Sequence, residues 1–347
     1  AKELKVGRIP GLDIAYVDDE LADAIRNQLK QPGFRVSEMR VLNQINRIYR
    51  GFKATYDFSA IGIHGAFAAF RDPVMWSKAA KVSLNAFFDR DNLGVADAML
   101  HGADEVAKAR GLLTSDFWST AGLRIAGPGT EYGIPFMAPL AQGRIPVVKQ
   151  AAALFERSNL SFGVFGDTLR LDWANKLLEE ELRRGRTLKE LWDTGQMREM
   201  ASIANKLTGW SEGRFGGDIG DVLMFAPKYF QSRIESYGQA MSGAARLAGR
   251  PFGTRQTIQS REALRSIMQM WGYGISLTEI INAATGHETD RRPWVDGAPN
   301  PNFYAIRYGG QDFSLFGPSI GFFQAIANTV TGHPERAMRS LGSGVLR

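Results

Sequence analysis

The sequence predicts a mainly α protein: an irregular assembly of many helices, with one small β-hairpin near the C-terminus. Three observations predict it. Apolar residues recur at i, i+3, i+4 spacing along most of the chain. Start and stop residues bracket those runs. One stretch alone, residues 303–316, alternates apolar and polar residues about the pair Gly309-Gly310, the mark of a tight primed turn. At 347 residues and 44% hydrophobic, the chain has enough apolar material for a sizeable core. It contains no cysteine. Disulfides, thiolate zinc sites and cysteine nucleophiles are therefore excluded. A net charge of +6 is mildly basic, short of the density of a dedicated DNA packager.

The elements follow in order. Residues 1–17 hold Gly7, Pro10 and Gly11 without a helical period and read as an extended arm. The first residue is Ala1, so the chain is expected to be processed or cut from something longer. Asp18-Asp19 cap a helix carrying Leu21, Ile25 and Leu29, which Pro32-Gly33 stops. Residues 36–58 form a long helix whose stripe is Met39, Leu42, Ile45, Ile48 and Phe52. An apolar helix over residues 61–70 ends at Arg71-Asp72-Pro73, where Asp72 can cap and Pro73 can open the next helix. That helix, residues 73–88, has Trp76, Ala79, Val82 and Phe87 on its apolar side; residues 92–109 turn Val95, Met99 and Val106 inward. Residues 113–141 are rich in Gly, Pro, Ser and Thr and read as irregular, with a short helix at 115–121.

Helices return at residues 145–158 and 162–184, and Glu179-Glu180-Glu181 with Arg183-Arg184 reads as a solvated last turn. Thr187 and Glu190 match the S/T-x-x-E capping box and open a helix that runs to Leu207. The glycine-rich stretch 213–220 is a connector, dividing a helical region over 18–212 from a second over 213–347. The second region begins with helices at 222–248, with Pro227 near the start, and at 260–284. Thr208-Gly209, Thr285-Gly286 and Thr331-Gly332 each close a helix through a left-handed glycine. No apolar run approaches the ~20 residues of a membrane span; residues 266–278 are short, and 312–330 are broken by Gly317-Pro318 and Gly321.

Few side chains suggest chemistry. His64 has apolar neighbours and reads as a packing or capping residue. His101 and Glu105 share a helix face but lack the further ligands that a zinc ion needs. His287 and His333 follow helix-ending glycines and are expected to bond terminal carbonyls or face solvent. The 213–220 stretch lacks the Lys-Ser/Thr tail of a phosphate loop, and no G-x-S-x-G elbow occurs. No catalytic, cofactor-binding or metal residue is assigned. The basic cluster Arg246, Arg250, Arg255, Arg261 and Arg265, opposed only by Glu262 in sequence, is the candidate nucleic-acid contact. Its alternatives are a solvated helix face and an acidic protein partner. Trp76, Trp118, Trp173, Trp271 and Trp294 are candidate core or interface anchors.

Several phrases, taken in order, carry a resemblance. They are Ser59-Ala60-Ile61-Gly62-Ile63-His64-Gly65-Ala66-Phe67 with Phe70-Arg71-Asp72-Pro73, then Gly122-Leu123-Arg124-Ile125-Ala126. Next come Arg144-Ile145-Pro146, Phe155-Glu156-Arg157-Ser158 and Ala204-Asn205-Lys206-Leu207-Thr208-Gly209. Leu223-Met224-Phe225-Ala226-Pro227-Lys228-Tyr229-Phe230 with Ser232-Arg233, Pro301-Asn302-Phe303-Tyr304-Ala305-Ile306-Arg307, and the closing residues 341–347 complete the set. From about residue 35 onward the chain resembles the helical region of large polyvalent proteins of tailed bacteriophages, and is similar to parts of phage internal virion and ejection proteins. The resemblance implies a non-enzymatic structural module with no cofactor, carried in the virion and delivered to the host cell on infection. Its implied partners are other virion proteins of the portal or capsid interior and copies of itself, with packaged DNA and the host membrane as further candidates. Two other roles stand beside it: a nucleic-acid-binding module delivered into the host, and a membrane- or cell-wall-active protein of infection.

Overall fold

The computed structural model describes residues 2–4, 15–17, 65–89, 92–125, 146–211, 227–247, 257–316 and 319–345. The helices expected over 18–32 and 36–58, the start of the one at 61–70, His64 and the glycine-rich connector lie outside the described residues. Within them the protein is mainly α, with eleven helices and three short antiparallel strand pairs.

Strand β1 (Lys2–Leu4) pairs with β2 (Ala15–Val17). Helices α1 (Ala66–Arg71) and α2 (Pro73–Phe88) meet at Asp72, whose carboxylate accepts from the Met75 amide at 3.0 Å while Pro73 takes the first helical position. Helix α3 (Asn92–Ala109) follows, then the short α4 (Ser115–Thr120). Val106 does not turn inward: it is exposed, and Ala107 fills the position one step round the helix.

Helix α5 (Pro146–Arg183) is continuous through residues 159–161, where two helices were expected. Its 38 residues span about 57 Å. Packing removes the break. Ser161 donates to the Ser83 carbonyl at 2.7 Å, Ser83 donates to the Ser161 carbonyl at 2.9 Å, and both are buried where α2 crosses α5. The helix expected over 187–207 is two, α6 (Leu188–Asp193) and α7 (Gln196–Leu207). Thr187 caps α6 as expected, but Gly195, at φ +73°, ends the run.

Helix α8 (Pro227–Leu247) opens on its proline, and α9 (Ile258–Ala284) is capped by Thr257, which accepts from the Ser260 amide at 3.1 Å. Two small hairpins follow. Strands β3 (Trp294–Val295) and β4 (Ala298–Pro299) turn on Asp296-Gly297, both at positive φ. Strands β5 (Ala305–Tyr308) and β6 (Gln311–Ser314) turn on Gly309-Gly310, at φ +60° and +77°, within the expected hairpin. Helices α10 (Ile320–Val330) and α11 (Pro334–Val345) pack on each other and close the chain.

The three Thr-Gly helix ends share more than glycine. Each is preceded by a buried asparagine three residues before the threonine: Asn205, Asn282 and Asn328. The residue after each glycine returns its amide to that asparagine's carbonyl, closing the same turn three times. Asn205 and Asn282 then use their side chains as a peptide would. Asn205 donates to the Gly122 carbonyl and accepts from the Arg124 amide, both at 2.9 Å. Asn282 does the same to Ala305 and Arg307, both at 2.8 Å. The loop at residues 122–124 and strand β5 are thereby fastened to helix ends.

One hydrophobic core runs from Phe67 to Phe323 and takes in Trp118, Trp173, Met200 and Met270. Helix α9 lies beside α1, α7 and α8. Tyr237 stacks on Phe322 at 4.3 Å between ring centres, and Phe323 gathers Trp271, Phe303 and Phe316 at 5.0 Å each. The α8–α9 crossing needs a glycine, because a Cβ on Gly243 would stand 2.8 Å from the Ser260 carbonyl oxygen. Gly243→Ala is expected to lower stability by about 1–3 kcal/mol through that clash. Gly238→Ala, on the same helix with nothing within 4 Å of the added carbon, is expected to raise it by up to about 1 kcal/mol. Urea denaturation of the two variants checks the opposite signs.

Candidate functional site

The densest chemistry lies where side chains of α1, α5 and α9 meet. Arg71 is 8% exposed and Glu262 is 2% exposed. Arg71 Nε donates to Glu262 Oε1 at 2.9 Å, and Trp173 Nε1 donates to the same oxygen at 3.0 Å. Arg71 Nη2 reaches Glu180 at 3.2 Å. Burial alone would lower the Arg71 pKa; the Glu262 and Glu180 carboxylates outweigh it and hold the guanidinium more firmly charged than usual.

The basic cluster must be placed against this. Arg261 Nη2 donates to Glu181 at 2.5 Å, and Arg265 Nη1 lies 3.3 Å from Glu180. Glu262, the one acid that opposes the cluster in sequence, faces Arg71 instead. The opposing charge comes from α5. Glu180 and Glu181 are therefore not a solvated last turn: Glu181 is buried and also accepts from Arg184 at 2.5 Å. The side chains of Arg246, Arg250 and Arg255 lie outside the described residues, so the structure places two of the five arginines and turns both onto carboxylates.

Further buried and half-buried charges are likewise engaged. Arg170, 2% exposed, donates to Asp167 at 3.2 Å, to Thr208 Oγ1 at 3.1 Å and to the Arg124 carbonyl at 3.2 Å. Arg233 lies 4.1 Å over the Phe67 ring and donates to the Leu207 carbonyl at the negative end of α7. Lys176 bonds Asp72 at 2.5 Å. Burial alone would raise the Asp72 pKa; the Lys176 bond and the Met75 amide hold it below the usual carboxylate range.

Among the described residues, the histidines take no common site. Glu105 pairs with Lys108 at 2.7 Å rather than with His101. His287 Nδ1 lies 2.8 Å from the Thr285 carbonyl, while His333 stands 3.3 Å from Glu335. Among the described residues, no three His, Asp or Glu converge on a point that could hold a metal ion.

A cleft of about 540 Å³ opens beside α7, lined by Arg198, Ser202, Lys206, Trp210, Ser211 and Glu235. Arg124 stands 5.9 Å from the Trp210 ring centre. Glu235 accepts from Gln231 at 2.8 Å and Ser211 at 2.9 Å, and pairs with Lys206 at 3.2 Å. Burial alone would raise its pKa, but these bonds hold it below the ordinary value, so it stays ionised near neutral pH. The cleft can seat an anionic or planar group against Arg198 and Trp210. Its carboxylate is committed to the wall. A smaller cavity of about 300 Å³ adjoins Glu199, whose carboxylate caps α9 through the Ile258 amide at 3.0 Å.

Among the described residues, no helix is long and apolar enough to cross a membrane. No family model, no curated protein and no solved structure matches the chain.

Arg71→Met leaves Glu262 buried and unpaired and is expected to cost about 3–5 kcal/mol. Adding Glu262→Gln, which keeps an acceptor for Trp173, is expected to recover part of that loss. A double-mutant cycle by urea denaturation measures the coupling. For Asp72, whose folded pKa is depressed, the extra stability is full above the unfolded value and is lost as pH falls through the folded one. The stability gap between the wild type and Asp72→Asn is therefore expected to be constant near neutrality and to close below about pH 4. Denaturation midpoints across that range check it.

Proposed function

We propose that the chain is a non-enzymatic structural module of a tailed-phage virion protein, internal to the particle or associated with genome ejection. The observation that carries the packing role is the use made of its buried charges. Arg71, Glu262, Arg170, Glu181 and Arg233 all fasten one element to another. A catalytic site instead keeps a titratable group free to exchange a proton in a cleft. In the cleft beside α7 Glu235 is held by three neighbours. The virion assignment rests on the resemblance of the ordered sequence phrases. In this reading the partners are portal or interior capsid proteins and further copies of the chain, and the protein travels in the particle to the host cell. Contact with packaged DNA would fall to cations other than Arg261 and Arg265, which already face carboxylates.

Mass spectrometry of purified particles of the encoding phage tests this. Peptides of the chain are expected in DNA-filled particles, falling at least tenfold in particles that have released their DNA. Purified particles lacking the chain would sink the reading.

A further inference from the structure

Helix α9 carries the core on one face, through Ala263, Ile267, Met270 and Gly274. Its opposite face is apolar too. Met268 is 58% exposed, Tyr273 57%, Leu277 41% and Ile280 64%. Met268, Gly272, Ser276 and Ile280 follow at intervals of four and form one ridge, with Tyr273 and Leu277 on the next. Gly272 has nothing within 4 Å of where a Cβ would stand, so the middle of the ridge is open. The patch amounts to roughly 450 Å² per copy, within the ~300–600 Å² of the largest apolar patch on a typical monomer, which is often functional.

The order of sizes along that ridge is large, small, small, large, and it reads the same in both directions about residue 274. We infer that this face is the contact between two copies of the chain, packed antiparallel across a twofold axis near residue 274. Met268 then meets Ile280 of the second copy, and Gly272 meets its Ser276, twice over, as an isologous interface requires. The small residues let the helices approach, while the large ones close the ends. Arg265, whose side chain is 47% exposed, comes over the last turn of the opposite α9, where helix carbonyls concentrate negative charge. A partner of different sequence has no need of such symmetry. A lipid surface favours cations flanking an apolar face; here Glu279, tied to Arg291 at 2.8 Å, stands at one edge. Two patches together approach the ~1,000 Å² at which specific interfaces begin, so the dimer belongs to the weak, micromolar class.

The inference deepens the packing role and rests on it for the choice of a second copy. Failure in solution would leave the particle measurement untouched, so the two fail separately. Sedimentation equilibrium of the full chain is expected to show monomer passing to dimer between about 1 and 500 μM. Ile280→Lys and Met268→Lys, both at exposed positions, are each expected to weaken association at least tenfold with an unchanged circular-dichroism spectrum. The chain has no cysteine of its own, so cross-linking is specific. Gly272→Cys and Ser276→Cys chains mixed under oxidation should join to each other faster than either joins to Val330→Cys, an exposed control. A monomer at every concentration overturns the inference. So does a dimer indifferent to both lysine variants, or a wild type that stays monomeric while sedimenting with anionic vesicles, which would give the face to lipid.

Discussion

The arrangement depends on a buried guanidinium. A charge removed from water must find an opposite charge and fill its hydrogen bonds, or the fold loses several kcal/mol. Arg71 meets that demand with a carboxylate 191 residues away in the chain, and Trp173 takes up an oxygen of the same carboxylate. Three helices are thus held in register at one point. Sliding α9 by a single turn would carry Glu262 about 5.4 Å from Arg71 and leave both charges alone. Hydrophobic contact cannot impose that: Leu, Met and Ala side chains trade neighbours at small cost, whereas an ion pair in a dry setting tolerates little displacement. The outer pairs Glu180–Arg265 and Glu181–Arg261 extend the same seam toward the surface, where solvent weakens each contribution.

Buried amides do for the irregular segments what that node does for the helices. A loop lying against a core must satisfy its peptide groups. Here Asn205 and Asn175 supply the missing partner, Asn175 by bonding both the amide and carbonyl of Leu113 and the Trp118 indole, and Asn282 does the same for strand β5. Each amide stands in for one residue of a β-strand. Among the described residues the strand pairs are short, and these amides help to hold extended segments against the helices.

What could be read from the sequence follows from this division. Features that a few adjacent residues decide were legible: the Asp72-Pro73 helix start, the Thr187 cap, the left-handed glycines after three threonines, and the two-glycine hairpin. Features decided by a distant partner were not. The join through residues 159–161 depends on Ser83, and the burial of Glu181 depends on Arg261. The arginine cluster was visible as a cluster, but its counter-charges lie 80 and 85 residues away. The turn at Asp296-Gly297 had a local signal, since Asp-Gly suits a primed turn, yet its strands of two residues each are too short to show alternation. The buried asparagines could have been found too, as Asn-x-x-Thr-Gly occurs at all three helix ends.

The internal pairing of the arginines also bears on how such a module would behave beside packed DNA. A free surface arginine gains by displacing a counterion from a phosphate. An arginine already on a carboxylate must give that carboxylate up, and the released acid then faces the phosphate with like charge. For Arg265 the exchange would strand Glu180, which also serves Arg71, so loosening the outer pair would disturb the buried one. The exchange is therefore uphill on both sides of the contact. Arg261 and Arg265, held this way, can lie close to nucleic acid without being captured by it. The apolar α9 face remains available to another protein surface, as the proposed virion role would require.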